Sequence, residues 1–392
     1  MRGGSFPPFI MYGQAPDPMS TCSGEEDTYD GGRNSWNAFR RAAATAERRL
    51  LAGIQIAASP RAALAALVEV RNKAEVYFLV RENSRALRVP TPAPQPFPLQ
   101  EFLRRAYARG PYPALWAVEG LGRLFGESQM EHAGGEVSGL LSGGIELPEK
   151  SLLMLHAGIG LAFAQWRLQR LDADFSPEDI HEVVRWFSRT CRANSRPGYL
   201  GAAWESLGLV VRTFYGRLVH DLDQAIVEAA PELRSWFWHG VGRAVYFLPV
   251  NFLPCSTWET LMRAEREAVD DLSHANVTSG IAWGMVMVNL RDPDVLAELV
   301  IGPHGAELRG NDAFLQGAAA SLVMRRETTP DATFLDPWLD YADRTRDGDE
   351  PWLWDELIRG PGREALVHLG PDLKRSDALD ELFHYAPLSA NG

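Results

Sequence analysis

Two short segments of the chain place a potential proton-transfer group and an arginine at the same spacing. The sequence reads Glu-Gly-Leu-Gly-Arg at 119–123 and His-Gly-Val-Gly-Arg at 239–243. Residues four apart on a helix lie on one face. Glu119 would therefore lie beside Arg123, and the histidine of the second segment beside its own arginine. In the simplest interpretation, Glu119 and Arg123 form an internal ion pair.

His239 and Arg243 indicate catalysis more directly, because two potential cations on one helix face require an anionic partner. Glu119, another acid or a bound carboxylate could supply that negative charge. We predict that His239 acts as general acid or base, and that Arg243 binds a carboxylate or stabilises developing negative charge. Glu119 would orient the substrate or relay protons. The alternative is that these groups only satisfy one another's hydrogen bonds across a helix seam.

His156 is a further candidate because it interrupts an apolar run. It would join Glu119 in orienting the substrate or relaying protons, although a histidine in such a run is also typical of a hydrogen-bonded core residue. A haem protein with His156 or His239 as an axial ligand is a third possible function, and the cofactor stays unknown. Asp270 and His274 are one turn apart, but no third ligand follows at a diagnostic spacing. We therefore predict no metal site.

Five side chains are candidates for the wall of an aromatic pocket. They are Trp116, Trp204, Trp238, Trp283 and Gln316. Each tryptophan lies within four residues of a glycine that belongs to a recurring signature, and Gln316 directly precedes another such glycine. Indole rings suit a large apolar or polyunsaturated ligand. The alternative is that each tryptophan only fills the space opposite a glycine.

The signature that carries these residues recurs six times within apolar stretches. Its first glycines are Gly120, Gly158, Gly201, Gly240, Gly280 and Gly317. Their spacing of about 40 residues fits one helical hairpin per unit, with an outer amphipathic helix and an inner small-residue helix. Glycine inside a helix costs about 0.5–1 kcal/mol relative to alanine, so its recurrence predicts close helix–helix approach. About six such hairpins would form an α/α toroid, which we favour, or an open α-solenoid.

Composition divides the chain into four parts. Residues 1–33 are rich in Gly, Pro and acidic residues and are predicted to be a disordered tail. Residues 34–88 read as an N-terminal helical block, and the proline-rich stretch 89–98 reads as an extended linker. The remainder, 99–392, is predicted to be one helical-repeat domain.

Helix signals recur through the chain, and strand signals are scarce. Ser-Pro-Glu-Asp at 176–179 predicts a capped helix start, and Ser256 with Glu259 predicts a capping box before a run to residue 271. The stretches 311–326 and 335–346 also read as helices. Because no run of alternating β-branched residues occurs, the sequence predicts an all-α protein.

Charge and cysteine content narrow the function classes. The 392 residues carry a formal charge of −12, which disfavours nucleic-acid binding because phosphates require clustered cations. Three widely spaced cysteines fit a reducing cytoplasm better than a disulfide framework. The longest uncharged run, 272–290, contains several polar residues, so a membrane-spanning helix is not expected. We predict a soluble cytoplasmic protein.

Three glycine-containing stretches resemble the helices of a bacterial family encoded in enediyne polyketide clusters. They are 156–162, 314–320 and 238–247, the last with the pattern Gly-x-Gly-Arg-Ala-[Val/Leu]-[Tyr/Trp]-Phe. The resemblance covers about residues 110–330. It implies a cytosolic enzyme or accessory protein that modifies a polyene or similar apolar metabolite, and it assigns no catalytic residues.

The main alternative function is a non-catalytic scaffold that docks partner proteins of the same pathway. An open solenoid would give it an extended concave surface. An enclosed site that contains both Glu119 and His239 would instead favour an enzyme acting on an apolar small molecule. The sequence leaves this choice open.

Overall fold

The computed structural model describes residues 60–171, 175–248, 257–302, 304–330, 333, 335–341 and 352–386. These residues form helices and loops without a strand, which confirms the predicted all-α class for the described part of the chain. Within the same ranges, no helix is both long and apolar enough to span a membrane. The predicted tail, 1–33, and the first part of the predicted helical block, 34–59, lie outside the described residues.

The helices occupy most of the described chain. In order they are α1 (Pro60–Arg81), α2 (Asn83–Leu87), α3 (Leu99–Tyr107), α4 (Pro111–Ala133), α5 (Glu149–Leu168), α6 (Pro177–Asn194), α7 (Leu200–Phe214), α8 (Val219–Ala229), α9 (Arg234–Tyr246), α10 (Thr257–Met262), α11 (Ala264–Glu267), α12 (Asp271–Asn289), α13 (Pro293–Val300), α14 (Asp312–Thr328) and α15 (Leu335–Leu339). Residues 352–375 are helical with two π-helical stretches, and Leu379–Phe383 forms a 3-10 turn.

Local capping explains where several helices begin. The Ser176 backbone N–H donates to the Asp179 carboxylate at 2.7 Å, and the Asp179 N–H donates to the Ser176 hydroxyl, which is the predicted start of α6. A second capping box, at Asp270 and Ser273, starts α12. The predicted helical run to residue 271 is therefore interrupted after α11, while Ser256 lies outside the described residues.

The C-terminal helix predictions have mixed outcomes. The Asn311 side chain accepts from the Phe314 N–H at 3.0 Å, and α14 follows as predicted. The predicted helix at 335–346 is described as α15, which ends at Leu339, and residues 342–350 lie outside the described part.

Six helices carry the small-residue signature, and each packs against the next along the chain. These signature helices are α4, α5, α7, α9, α12 and α14. Nearly all of their central residues are buried, as expected for helices that are apolar on most sides. Amphipathic helices, such as α6 and α8, lie in the connections between some of them.

Glycines let the backbones of neighbouring signature helices touch. A Cβ on Gly158 of α5 would overlap the Glu119 carbonyl oxygen of α4, and a Cβ on Gly122 of α4 would overlap the Leu155 carbonyl oxygen of α5. The same crossed pattern joins α9 to α12. Because the higher residue number on one helix meets the lower number on the other, the neighbours run antiparallel.

The third signature unit differs from the predicted one. Gly201 lies in the first turn of α7 and faces the Trp236 side chain, not a neighbouring backbone. Ser206 takes the expected place, since its hydroxyl donates to the Ala157 carbonyl at 2.8 Å. Gly208 then meets the Phe237 carbonyl. The repeating unit is therefore Glu-Ser-Leu-Gly at 205–208.

The antiparallel packing also changes the predicted hairpin. A hairpin of one outer and one inner helix makes successive inner helices parallel. The described connection between α4 and α5, residues 134–148, contains no helix, and a connection of this kind joins antiparallel neighbours. A strictly repeated outer–inner hairpin is therefore wrong for the first two units.

The first signature helix also contacts helices that are distant in sequence. The Tyr112 hydroxyl of α4 donates to the Val288 carbonyl of α12 at 2.5 Å. The Arg325 guanidinium of α14 donates to the Pro111 carbonyl at the start of α4 at 2.8 Å. Helix α14 also packs against α5. Helix α4, the first signature helix, is thus in contact with α12 and α14, the last two.

Two segments that are not signature helices cover parts of the signature helices. Helix α1 packs on α4, α12 and α13, and its Glu69 accepts from the Tyr246 hydroxyl at 2.6 Å and pairs with the buried Lys73 at 3.2 Å. The C-terminal segment, 376–386, crosses α7, α9 and α14. Its Tyr385 N–H donates to the Asn276 side chain at 2.8 Å.

Candidate functional site

A buried cluster of four ionisable side chains joins three of the signature helices. Glu205 of α7 accepts from His239 Nδ1 at 2.9 Å and from Arg243 Nη1 at 2.5 Å. Arg243 Nη2 donates to Glu119 of α4 at 3.1 Å. We call Glu119, Glu205, His239 and Arg243 the central cluster. Their side chains are at most 2% exposed.

Register explains why these residues meet. Glu119, Glu205 and His239 each directly precede the first small residue of their unit. The backbone carbonyl oxygen of each of the three lies against the first glycine of the next signature helix, so they occupy the same position in their helix contacts. Arg243 lies one turn after His239 on the same face. The cluster is therefore a consequence of the glycine seams.

Aromatic rings enclose one side of the central cluster. The Arg243 guanidinium carbon lies 4.3 Å from the Trp283 ring centroid, and the His239 ring meets the same indole edge-on at 6.3 Å. Trp116 packs edge-on against Trp283, with ring centroids 6.5 Å apart. The Phe383 ring of the C-terminal segment lies 5.9 Å from the same Trp283 ring. The charged groups thus lie in an apolar, water-poor environment where electrostatic interactions are strong.

Burial and neighbouring charges set the protonation of the cluster. Burial raises the pKa of Glu119 more than the Arg243 guanidinium lowers it. Burial also lowers the pKa of His239 more than its hydrogen bond to Glu205 raises it. Burial opposes the charge on Arg243, but Glu205 and Glu119 raise its pKa overall. These directions favour a neutral Glu119 and a neutral His239 around a charged Arg243.

His239, Arg243 and Trp283, which contact one another, each have one polar atom without a hydrogen-bond partner among the described residues. These atoms are His239 Nε2, Arg243 Nε and Trp283 Nε1. The Glu205 carboxylate accepts from Nδ1 of His239, which places the proton on Nδ1 and leaves Nε2 as a basic lone pair. Arg243 Nε and Trp283 Nε1 are donors. The site therefore combines one proton acceptor with two hydrogen-bond donors.

Arg123 lies outside the central cluster, although it shares the spacing of Arg243. Its guanidinium contacts Glu127 and donates to the Arg81 carbonyl at 2.8 Å. The ion pair between Glu119 and Arg123 that the spacing predicts is replaced by the longer-range pair between Glu119 and Arg243. Equal spacing in the two segments therefore leads to different environments.

His156 is fully buried and separate from the cluster contacts. Its Nδ1 donates to the Leu152 carbonyl at 2.7 Å, and its Nε2 accepts from the Arg196 N–H at 3.1 Å. Burial lowers its pKa to about 4. Because both ring nitrogens have backbone partners, His156 has the environment of a hydrogen-bonded core histidine, and neither nitrogen is free to bind a haem iron.

The predicted pocket-wall residues are distributed over different parts of the molecule. Trp116 and Trp283 lie against the central cluster. Trp238 donates from Nε1 to Asp223 at 2.6 Å, and Trp204 packs on Trp236 at 5.4 Å, although each of them adjoins a cluster residue in the chain. Gln316 is partly buried, and its side-chain oxygen has no partner among the described residues.

Glu205 is the functional candidate that the sequence reasoning missed. The signal is present, since Glu-Ser-Leu-Gly at 205–208 matches Glu-Gly-Leu-Gly at 119–122 apart from one small residue. The predicted unit is aligned on Gly201, which lies five positions before Ser206, the residue that makes the close contact. Serine fulfils the role of glycine here because its hydroxyl bonds to the carbonyl that a larger side chain would displace.

Metal and cofactor ligands are scarce around the site. Within the described residues, no three His, Cys, Asp or Glu side chains are grouped to hold a metal ion. Asp270 instead caps α12 and pairs with Arg234 at 2.8 Å. His239 Nε2 is the atom of the central cluster that could bind a haem iron.

The chain was compared with protein-family models, with curated proteins and with solved structures, and it matches none of them. The resemblance to the family of enediyne polyketide clusters therefore stays a prediction.

Proposed function

We propose that the protein is a bacterial enzyme of specialised metabolism that transfers protons on an apolar metabolite of polyene or polyketide type. His239 is the general acid or base, Glu205 orients it, and Arg243 stabilises negative charge. Glu119 holds the second exchangeable proton of the site. Trp116 and Trp283 form the aromatic wall against which the apolar substrate packs.

One observation carries this proposal: the buried His239 is held at Nδ1 by a carboxylate, and its Nε2 has no partner in the part of the chain that the structure describes. A carboxylate in this position fixes the ring and stabilises the imidazolium that forms when Nε2 takes a proton. A histidine with only a packing role is expected to have both nitrogens bonded, as His156 does.

The proposal includes closure of the six signature helices into a ring, the toroidal alternative and not the open solenoid. Support comes from Glu119 of α4 meeting Arg243 of α9, and from the contacts of α4 with α12 and α14. In an open solenoid each unit contacts only its neighbours. The central cluster would then lie at the ring axis.

The experiment is complementation of the producing bacterium after deletion of the gene. We would compare wild type with His239→Asn, because the asparagine amide can still donate to Glu205 while the basic Nε2 is lost. The matched control is His220→Gln, a change at an exposed histidine. The metabolite profile would be measured by mass spectrometry, and folding by thermal unfolding of the purified variants.

An enzyme that uses His239 predicts that wild type and His220→Gln restore the product and that folded His239→Asn does not. A scaffold predicts that all three restore it, because the buried base is not required for docking. Restoration by a folded His239→Asn variant would therefore reject the catalytic role.

A further inference from the structure

Two donors at the central cluster have no hydrogen-bond partner among the described residues, and they belong to one local group. They are Arg243 Nε and Trp283 Nε1, and the Arg243 guanidinium carbon lies 4.3 Å from the centroid of the Trp283 ring. The His239 ring contacts the same indole. A buried donor without an acceptor loses about 1–3 kcal/mol of hydrogen bonding, so a ligand oxygen that accepts from both donors is strongly favoured here.

Charge balance limits what that oxygen can be. Arg243 is already paired with Glu205 and Glu119 through its two terminal nitrogens. A ligand that arrives as an anion would add uncompensated negative charge to a buried site, which is costly. A neutral acid that gives its proton to His239 adds no net charge, because the imidazolium and the new oxyanion balance each other.

We propose that the substrate is an apolar carbonyl compound with an acidic C–H bond, which the central cluster converts into an enolate. The C–H bond breaks, its electron pair is delocalised onto the carbonyl oxygen, and the proton moves to His239 Nε2. Arg243 Nε and Trp283 Nε1 donate to the oxygen that becomes negative. In a substrate with a C=C bond next to the acidic carbon, the enolate is conjugated, and return of the proton to the far carbon of that bond gives an isomer without an oxidant or reductant. This inference rests on the proposed function and specifies its substrate class.

The test uses 4-nitrophenol as an enolate mimic and 4-nitroanisole, its methyl ether, as the matched probe that cannot ionise. Binding to the full chain would be measured by calorimetry, and ionisation by the visible absorption band of the phenolate. We expect the phenol to bind tenfold or more tightly than the ether. We also expect it to be bound as phenolate at pH values where the free phenol is largely neutral.

Two variants separate the roles of donor and base. Trp283→Phe keeps an aromatic ring and removes the N–H, so phenol affinity should fall by about tenfold or more. Its control is Trp238→Phe, which removes the N–H that bonds to Asp223 and should leave probe affinity unchanged. His239→Asn should abolish the phenolate band because the proton acceptor is gone.

Three results would overturn the inference. They are equal binding of phenol and ether, binding of the phenol without the phenolate band, and no binding of either probe. Proton transfer by His239 could still act on another group in each case, and the complementation experiment would report that separately. Loss of both the band and complementation in a folded His239→Asn variant supports both proposals.

Discussion

At the scale of single residues, Arg243 joins the central cluster because its terminal nitrogens bind glutamate side chains from two different helices. Glu205 contributes the shorter contact and also bonds His239. Glu119 has the raised pKa that favours a neutral carboxyl group. The two glutamates are therefore expected to respond differently to the same substitution.

Glu205→Gln should lower the free energy of unfolding by about 3–5 kcal/mol, because it leaves the buried Arg243 without its closest carboxylate. Glu119→Gln should cost about 1 kcal/mol or less, since the amide resembles the neutral acid. Urea unfolding at neutral pH measures both. Equal losses in the two variants would contradict this assignment of charge.

The raised pKa of Glu119 also predicts the sign of a pH effect. The folded state keeps a proton that the unfolded chain releases as pH rises above the ordinary glutamate value of 4.5. The stability of the wild type therefore falls with rising pH relative to Glu119→Gln. A stability difference that does not change with pH would show that Glu119 is ionised when folded.

His156 should give a pH effect of the opposite sign. Its pKa is about 4 in the folded protein, against the ordinary histidine value of 6.5 that applies to the unfolded chain. The unfolded chain therefore takes up a proton first as pH falls. Stability associated with this residue is present above pH 6.5 and is lost between 6.5 and 4, by roughly 3 kcal/mol. His156→Asn should lack this loss in acid unfolding curves, and an unchanged slope would contradict it.

The sequence predicted Glu119, His239 and Arg243 as candidates because their types and spacing stand out in apolar helices. It could not predict that Arg243 reaches Glu119 while Arg123 does not, because a helix face does not specify which distant helix it meets. Glu205 was missed because glycine defines the predicted units, whereas Ser206 fills the close-contact position in this unit.

At the scale of elements, the glycine seams determine how neighbouring helices pack. The sequence predicted helices and close approach correctly, since both follow from local composition. The antiparallel direction was not predicted, because it depends on the length and path of each connection. Similarly, the helix break after α11 depends on the Asp270 cap, which competes with a continuous run of helix-forming residues.

Gly158→Ala should destabilise the protein by about 1–3 kcal/mol, because the added Cβ overlaps the Glu119 carbonyl oxygen and pushes α4 and α5 apart. The matched control is Gly144→Ala, where a Cβ meets nothing within 4 Å and stability should be unchanged or slightly higher. Thermal unfolding of the two variants provides the comparison. Equal stability of both variants would show that the seam is loosely packed.

At the scale of the whole molecule, separate segments of the chain cover the signature helices. Helix α1 buries Lys73 and Glu69 beside Tyr246 at the C-terminal end of α9. The C-terminal segment packs the His384 ring against Trp236 near the N-terminal end of the same helix, with ring centroids 4.3 Å apart. These segments therefore shield the central cluster from both directions along α9.

Phe383→Ala should open the C-terminal side of the central cluster, because Phe383 is the ring of this segment that contacts Trp283. We expect faster amide hydrogen exchange in peptides that contain 279–285, with little change in α1. The control is Val367→Ala, at a side chain that is 64% exposed. Exchange that increases equally throughout the molecule would indicate global destabilisation and contradict a local cover.

The antiparallel seams also constrain how a protein of this kind could grow or shrink by duplication. From α4 to α12, each signature helix reverses the direction of the one before it. In an open row, one added helix would leave every contact between neighbours antiparallel, but in the proposed ring it would make the contact that closes the ring parallel. Under that proposal, natural variants of this architecture should therefore contain an even number of signature helices.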